Sequence, residues 1–545
     1  MTQKTFFEKI VSYSFTFSNF ATLTLTYFMA NKLKLTRRVL AAVMMAGVCA
    51  LFLDPTGGTV KQYLGWTVDV QFFPSVTAGF MSAVTSSIII ALATILLTFV
   101  FGRYYCSVIC PLGIMQDFFA WIGRLGGKKR KLKYTYSGEK KNLRYGVLAL
   151  FVVAFALTIV PMIHLWAAIL EPYSIFGRIM TTIFAPISRV VATSLAEGSE
   201  AAGNFDYAMP ATLNTNGAML GIAIASLLII AVLAFMNGRT WCNTICPVGT
   251  ILSFLSRKSI FQIQIDSDKC KHCGLCARQC KASCIDFKSM KVDTSRCVGC
   301  MDCLDSCNSK AISFGKVAKK QSSASSSDSA AESVDQSKRT FLTVGAMLGG
   351  AALTDAKAKI NDGGFAKIID KTKIEREEYI TPPGSESHNH LETVCTACGL
   401  CLTACPNDVL RPSTELGNLL KPYMSFENGY CRPECTRCGD VCPTGAIKLV
   451  DKAKKSSIHI GHAEVNMNLC FPAQGKETCG NCAKHCPVGA ISMVALASDS
   501  SKQIPNVDQN RCIGCGACEY LCPSRPISAI HVEGHRVHRC DEGEL

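Results

Sequence analysis

Four copies of one cysteine phrase between residues 395 and 522 constrain this chain more than any other feature. They read Cys395-x2-Cys398-x2-Cys401-x3-Cys405-Pro, Cys431-x3-Cys435-x2-Cys438-x3-Cys442-Pro, Cys470-x8-Cys479-x2-Cys482-x3-Cys486-Pro and Cys512-x2-Cys515-x2-Cys518-x3-Cys522-Pro. Three closely spaced cysteines wrap one centre on a tight loop. The fourth precedes a proline suited to the first turn of a helix and reaches the neighbouring centre. Sixteen thiols in this pattern make four cubane iron–sulfur sites. Structural zinc ribbons would use separated Cys-x2-Cys pairs holding one ion among four sulfurs, which the x2-x2-x3-Pro run does not suit.

This crossing is the arrangement of bacterial ferredoxins. It pairs Cys395, Cys398 and Cys401 with Cys442, and Cys431, Cys435 and Cys438 with Cys405. It likewise pairs Cys470, Cys479 and Cys482 with Cys522, and Cys512, Cys515 and Cys518 with Cys486. An earlier copy, Cys270-x2-Cys273-x2-Cys276-x3-Cys280 and Cys297-x2-Cys300-x2-Cys303-x3-Cys307, pairs Cys270, Cys273 and Cys276 with Cys307, and Cys297, Cys300 and Cys303 with Cys280. Here Lys281 and Asn308 stand where proline follows the fourth cysteine elsewhere, so Cys284 competes with Cys280. Internal alignment sets Cys284 at the small-residue position of Ala311, Ala446 and Ala490, which reads as a buried thiol. The expectation is six [4Fe–4S] clusters. The insertions Phe471 to Thr478 and Leu410 to Tyr430 are expected to shape a docking surface.

The chain's 545 residues suit several domains, and its 31 cysteines cluster with metal-ligand spacing rather than as a disulfide framework, leaving only Cys49, Cys284 and Cys540 over. The net charge of +15 lies largely beside apolar spans, with no nucleic-acid recognition motif. Four stretches read as transmembrane helices, about 38–53, 76–100, 143–166 and 217–236. The loop 101–142 carries nine basic residues against Asp117 and Glu139, so it is expected in the cytoplasm. The more acidic loop 167–216 is expected to face outward, with both ends of the membrane unit inside. A repeat lies within this unit: Gly102-Arg103-x2-Cys106-x3-Cys110-Pro111-x-Gly113 is echoed by Gly238-Arg239-x2-Cys242-x3-Cys246-Pro247-x-Gly249. Cysteines four apart share one helical face, giving a thiol set able to bind a metal, cycle through a disulfide or contact a redox partner.

The domain plan is therefore 1–34, an N-terminal extension with Met29 as an alternative start; 35–260, a four-helix membrane domain; 261–315, a two-cluster ferredoxin domain; 316–337, a disordered linker; 338–358, a twin-arginine-like signal or anchor; and 359–545, a four-cluster domain. The linker composition cannot support a core. Ser337-Lys338-Arg339-Thr340-Phe341-Leu342 before an apolar run resembles an export signal, with Ala356-Lys357-Ala358 as a candidate cleavage site.

Residues from about 35 to 315 resemble NapH, the membrane ferredoxin of periplasmic nitrate reductase systems. Residues from about 338 to 540 resemble NapG or MauM, exported four-cluster ferredoxins, as if the two were fused. The resemblance implies a quinol dehydrogenase of the bacterial inner membrane in respiration, passing electrons from the menaquinol pool to a periplasmic reductase or its carrier. The first ferredoxin domain would then be cytoplasmic and the C-terminal one periplasmic, with Cys106, Cys110, Cys242 and Cys246 as the family's membrane thiols. His164 and Glu171, at the outer end of the third span, are candidate proton acceptors for quinol. The main alternative is a metal-handling role of the CcoG or FixG type, which shares the C-x3-C-P pair and whose soft thiols suit Cu(I). A regulatory protein with structural clusters would not call for six of them. The sequence has no C-x-x-C-H haem motif, nucleotide fingerprint or flavin-attachment motif.

Overall fold

The computed structural model describes residues 33–54, 60–81, 85–125, 134–156, 168–201, 217–316, 369–496 and 499–541. Residues 1–32 of the N-terminal extension, 317–337 of the linker, the twin-arginine-like segment and His164 lie outside these residues. A helical membrane-embedded region precedes two α+β ferredoxin modules. Three helices among the described residues are long and apolar enough to cross a bilayer: Leu33–Leu53, Pro172–Gly198 and Gly217–Asn237.

The first and last of these cover the expected spans 38–53 and 217–236. The stretch 76–100 is not one helix: Phe72–Met81 and Thr85–Phe101 pack against each other. Lys141–Ala156 covers the start of 143–166, and the remainder lies outside the described residues. The presumed outward loop carries the helical run Pro172–Ile179, Met180–Phe184 and Ala185–Ala201, whose middle part is a π turn. Reading it as a loop from its charges overlooked its mean hydropathy of 1.4, and Arg178 and Arg189 are buried and carbonyl-bound. Arg178 donates to Ala168 O and Ile169 O at 3.1 and 3.2 Å, and Arg189 to Thr403 O at 2.6 Å.

Two helices fix the separation of the modules. Gly217–Asn237 packs Met219 and Ile222 into the core of the second module, while just past its other end Arg239 N donates to Lys281 O of the first. Leu33–Leu53 runs between the same two places. Lys34, near its start, pairs with Asp302 and Asp305 of the first module, and Phe52, near its end, lies with Cys398 O of the second around Gly177. Each helix has 21 residues, about 30 Å at 1.5 Å per residue, which is the thickness of a bilayer core. The modules therefore sit at opposite ends of the helical region.

Each module is built on small antiparallel ribbons. Phe261–Ile265 pairs with Ile312–Lys316 in the first, and Ile458–Val465 with Ile530–Cys540 and Ile491–Leu496 with Asp499–Val507 in the second. Isolated two-stranded ribbons are marginal in water. Here their apolar faces close on cysteines, which belong to the cores themselves. Residues 410–430 fold as the hairpin Leu410–Pro412 and Pro422–Met424, with Leu420, Met424 and Phe426 fully buried. That insertion builds core.

Candidate electron-transfer sites

The fold brings the crossed cysteine sets together. Cys470, Cys479, Cys482 and Cys522 line one cavity, and Cys405, Cys431, Cys435 and Cys438 another. A third is lined by Cys280, Cys297, Cys300 and Cys303 together with Cys284. Among the described residues no three His, Cys, Asp or Glu side chains converge as ligands of one ion. In the other three sets, Cys276 lies within electrostatic reach of Cys270, Cys273 and Cys307; Cys401 of Cys395, Cys398 and Cys442; and Cys515 of Cys512 and Cys486.

The loops suit an anionic iron–sulfur group. In each C-x2-C-x2-C run the residues on both sides of the middle cysteine are left-handed, whether glycine or not: His272 and Gly274, Gly299 and Met301, Ala397 and Gly399, Gly514 and Gly516. Such successive turns aim backbone N–H groups inward as a nest. The fourth cysteines receive amides as well: Cys307 Sγ from Ala311 N at 3.3 Å, Cys486 Sγ from Ala490 N at 3.2 Å, and Cys522 Sγ from Ala529 N at 3.3 Å. Lys455 Nζ donates to Cys431 Sγ at 3.2 Å. Burial alone would lower the pKa of this ammonium, and the facing Cys431 thiolate raises it above its ordinary value. A bound [4Fe–4S] group supplies one-electron exchange. The residues that would hold it are the six crossed sets. Cys284 Sγ stands 3.5 Å from Cys280 Sγ, so both sulfurs face the same cavity.

Neighbour relations give the second module an order. Cys401 reaches Cys438, Cys431 N donates to Cys515 O at 2.9 Å, and Cys518 reaches Cys482. The sequence of sites is thus Cys395, Cys431, Cys512 and Cys470, by first cysteine, and the segment Phe471 to Thr478 flanks the last. In the first module the site of Cys297 abuts the membrane region, and Cys273 of the other site is exposed.

Between the modules the two G-R-x2-C-x3-C-P-x-G repeats interlock by exchange. Arg103 donates to Cys242 O at 2.9 Å, and Arg239 Nη1 donates to Cys106 O. A Cβ on Gly249 would fall 2.4 Å from Cys242 O and one on Gly113 2.2 Å from Cys106 O, so each repeat's last glycine admits the other repeat's arginine. Gly102 and Gly238 are left-handed, which turns the chain into each motif. Cys246 caps the helix Pro247–Ser256, accepting from Gly249 N at 3.3 Å. Gln116 Nε2 donates to Cys242 Sγ at 3.1 Å. All four cysteines are at most 4% exposed and share one electrostatic neighbourhood. Arg103 is fully buried, and its further partners are Asn243 Oδ1 at 2.8 Å, Ser295 O at 3.2 Å and Cys106 Sγ at 3.9 Å, none of them a carboxylate. A buried guanidinium needs nearby negative charge, and a metal-held or reduced thiolate set would supply it.

Sequence reasoning singled out the cysteines, arginines and glycines of this frame but missed Gln116 and Asp117. Asp117 accepts from Arg239 Nε at 2.7 Å and Lys281 Nζ at 3.0 Å, with Arg37 at 3.5 Å. Burial would raise its pKa, but Arg239, Lys281 and Arg37 hold it well below the ordinary carboxylate range. The available signal was two lone acids in a basic loop. Glu139, the other, pairs with buried Arg144 at 2.9 Å. Glu171 is not in an open site: it is buried and caps Pro172–Ile179, accepting from Tyr173 N at 2.9 Å and from Ser174 N. It lies on the way from the cysteine centre to the second module, with Tyr105 on one side and Tyr173, beside Cys398 and Cys442, on the other.

The family described as "4Fe-4S binding domain" matches residues 83–133 and 219–264, one match over each interlocked repeat, and the "4Fe-4S dicluster domain" matches 394–446 and 477–525. The methylamine utilization ferredoxin-type protein MauM of Methylophilus methylotrophus is 30% identical over 162 residues, 28% of this chain and 71% of that protein. The ferredoxin-type protein NapF of Escherichia coli is 31% identical over 157 residues, 29% of this chain and 87% of its own length. The putative electron transport protein YccM of the same organism is 26% identical over 206 residues, 38% of this chain and 48% of that protein. No solved structure matches. With paired cysteine sets in two modules and these relatives, the chain belongs to the ferredoxin-type electron-transfer proteins, related to MauM, NapF, NapG and the putative electron transport protein YccM.

Proposed function

We propose that this protein is a quinol-fed electron conduit of the bacterial inner membrane, with a NapH-like membrane part and a NapG/MauM-like array in one chain. It carries electrons through six [4Fe–4S] sites and the cysteine centre to a periplasmic reductase or its carrier. The observation that carries this reading is the seating of two cysteine-rich modules at opposite ends of two 21-residue apolar helices. One continuous core runs between them, containing Cys280, Cys300 and Cys303, then Cys106, Cys110 and Cys246, then Cys398 and Cys401. The basic segment 101–142 meets the first module, where Arg124 Nη2 donates to Gln279 O at 2.9 Å, which supports a cytoplasmic place for that module. The ordered sites of the second module then lead outward, and the site of Cys470, Cys479, Cys482 and Cys522 is the exit.

Four buried soft sulfurs also suit Cu(I), the basis of the metal-handling alternative, but that role leaves the four sites of the second module without a task. A reporter active only in the periplasm, fused after residue 545, tests the arrangement. Activity there, with a cytoplasmic reporter at the same position silent, is the expected result. The opposite pattern ends the outward route.

A further inference from the structure

A cavity of about 570 Å³, open on one side, lies between the start of Leu33–Leu53, the helix Pro111–Leu125 and the first ferredoxin module. One wall is apolar, formed by Ala42, Ile114, Phe118 and Trp121, and both rings are more than half exposed. Lys34 and Arg37 set its level at the edge of the bilayer, where basic flanks and aromatic side chains anchor a span. The opposite wall is polar and redox-linked: Lys281 and Asp302 adjoin Cys280 and Cys303 in the chain. Asp117 is tied through Arg239 to the Cys106 carbonyl. The cavity thus touches the supports of two electron-carrying sites at once.

The charges select among membrane amphiphiles. Lys34 pairs with Asp302 and Asp305, Arg37 with Asp117, Lys281 with Asp117 and Asp302 at 3.0 and 3.1 Å, and Arg38 with Asp302 at 3.5 Å. Arg124 donates to Gln279 Oε1 at 3.1 Å. A lipid phosphate would have to compete with these partners, whereas a neutral ring bearing hydroxyl donors fits beside both aromatic surface and carboxylate acceptors.

We infer that this cavity seats the headgroup of a lipid-soluble hydroquinone, the donor of the conduit proposed above and dependent on that reading. The hydroquinone loses two electrons and two protons as its two O–H bonds break and a quinone forms. The electrons leave singly, towards the site bounded by Cys280, Cys297, Cys300 and Cys303 and towards the centre of Cys106, Cys110, Cys242 and Cys246. The protons pass to water at the open side. Phe118 and Trp121 position the ring, and the tail leaves along the exposed face of Val39 and Val43.

The test uses the full chain in phosphatidylcholine nanodiscs with reduced menadione as donor and a photoreactive azido-naphthoquinone as label. Ala42→Phe fills the cavity and Trp121→Ala removes a wall, while Leu228→Phe, on an exposed face of Gly217–Asn237, is the control. Both cavity variants should raise half-saturating quinol by about tenfold or more. They should leave the dithionite-reduced spectrum unchanged, and the label should map to peptides within 33–53 or 111–125. Wild-type reduction with unchanged half-saturation in the variants, or with the label near Glu171, overturns the cavity assignment and leaves the conduit standing. Wild type that quinol does not reduce, although dithionite does, overturns the quinol-fed reading and this inference with it. An anionic phospholipid that co-purifies, and that excess azido-naphthoquinone does not displace, marks a lipid site and overturns the inference alone.

Discussion

Gly113→Ala tests how the two membrane repeats hold each other. An alanine methyl there would stand 2.2 Å from Cys106 O and 2.9 Å from Arg239 Nη1. That is about 1 Å closer than a C–H···O contact tolerates. Neither neighbour yields freely: Cys106 O is backbone, and Arg239 is fully buried and fixed to Asp117. Overpacking of this kind costs about 1–3 kcal/mol, and losing the charged N–H···O bond from Arg239 costs about 1.5–3 kcal/mol more. The midpoint for loss of folded protein, measured by size exclusion after heating in detergent, should fall by roughly 10 °C. Exchange between the repeats makes a sharper demand. Gly113→Ala should couple to Arg239→Lys by about 1 kcal/mol or more, and less to Arg103→Lys, while Gly249→Ala should show the reverse preference. A Gly113→Ala protein as heat-stable as wild type, or equal coupling to both arginines, would refute the interlocked arrangement.

Other outcomes follow from single contacts. His538, buried against Thr381 Oγ1, has its pKa lowered by burial from 6.5 to about 4. Its unfolded form binds the proton first, so stability is complete above pH 6.5 and falls towards pH 4. The loss is about 1.4 kcal/mol at pH 5.5, and His538→Gln should flatten that part of the profile in urea unfolding of the holoprotein. Lys455→Ala removes the cation beside Cys431 and should lower the reduction potential of that site alone in an EPR-monitored titration. Glu519 accepts from Arg376 at 2.6 Å and Val532 N at 2.9 Å while 4% exposed, so Glu519→Gln should destabilise the second module by about 3–5 kcal/mol in the same urea assay. Cys284→Ala should leave iron per chain unchanged, whereas Cys280→Ala should lose about four iron atoms per chain by elemental analysis.

What the sequence revealed follows the range of each signal. Cluster cysteines are set by spacing within a few residues, so the crossed sets could be written down in advance, and the fold gathers those same residues. The frame around Cys106 and Cys242 was visible as a repeat, but its exchange was not, because Arg103 and Cys242 are joined across 139 positions. Counting charges made Pro172–Ala201 read as a loop, although buried Arg178 and Arg189 satisfy carbonyls instead of facing water and Pro172–Gly198 is apolar enough to span. The reading also merged parts of Phe72–Met81 and Thr85–Phe101 into one span, since apolar content alone does not separate two apolar helices that pack on each other. Glu171 looked like an interfacial acid because the sequence does not tell a helix cap from an open carboxylate.

The central claim is that electrons cross from quinol to the second module through the cysteine centre. It is tested most directly by mixing detergent-purified protein anaerobically with a reduced menaquinone analogue and following the clusters by EPR, in wild type and in a Cys106→Ala/Cys242→Ala variant. The account predicts reduction of the sites within 395–522 in wild type. In the variant that reduction should be lost, although the same sites still accept electrons from dithionite. Equal quinol reduction of those sites in the variant would contradict it.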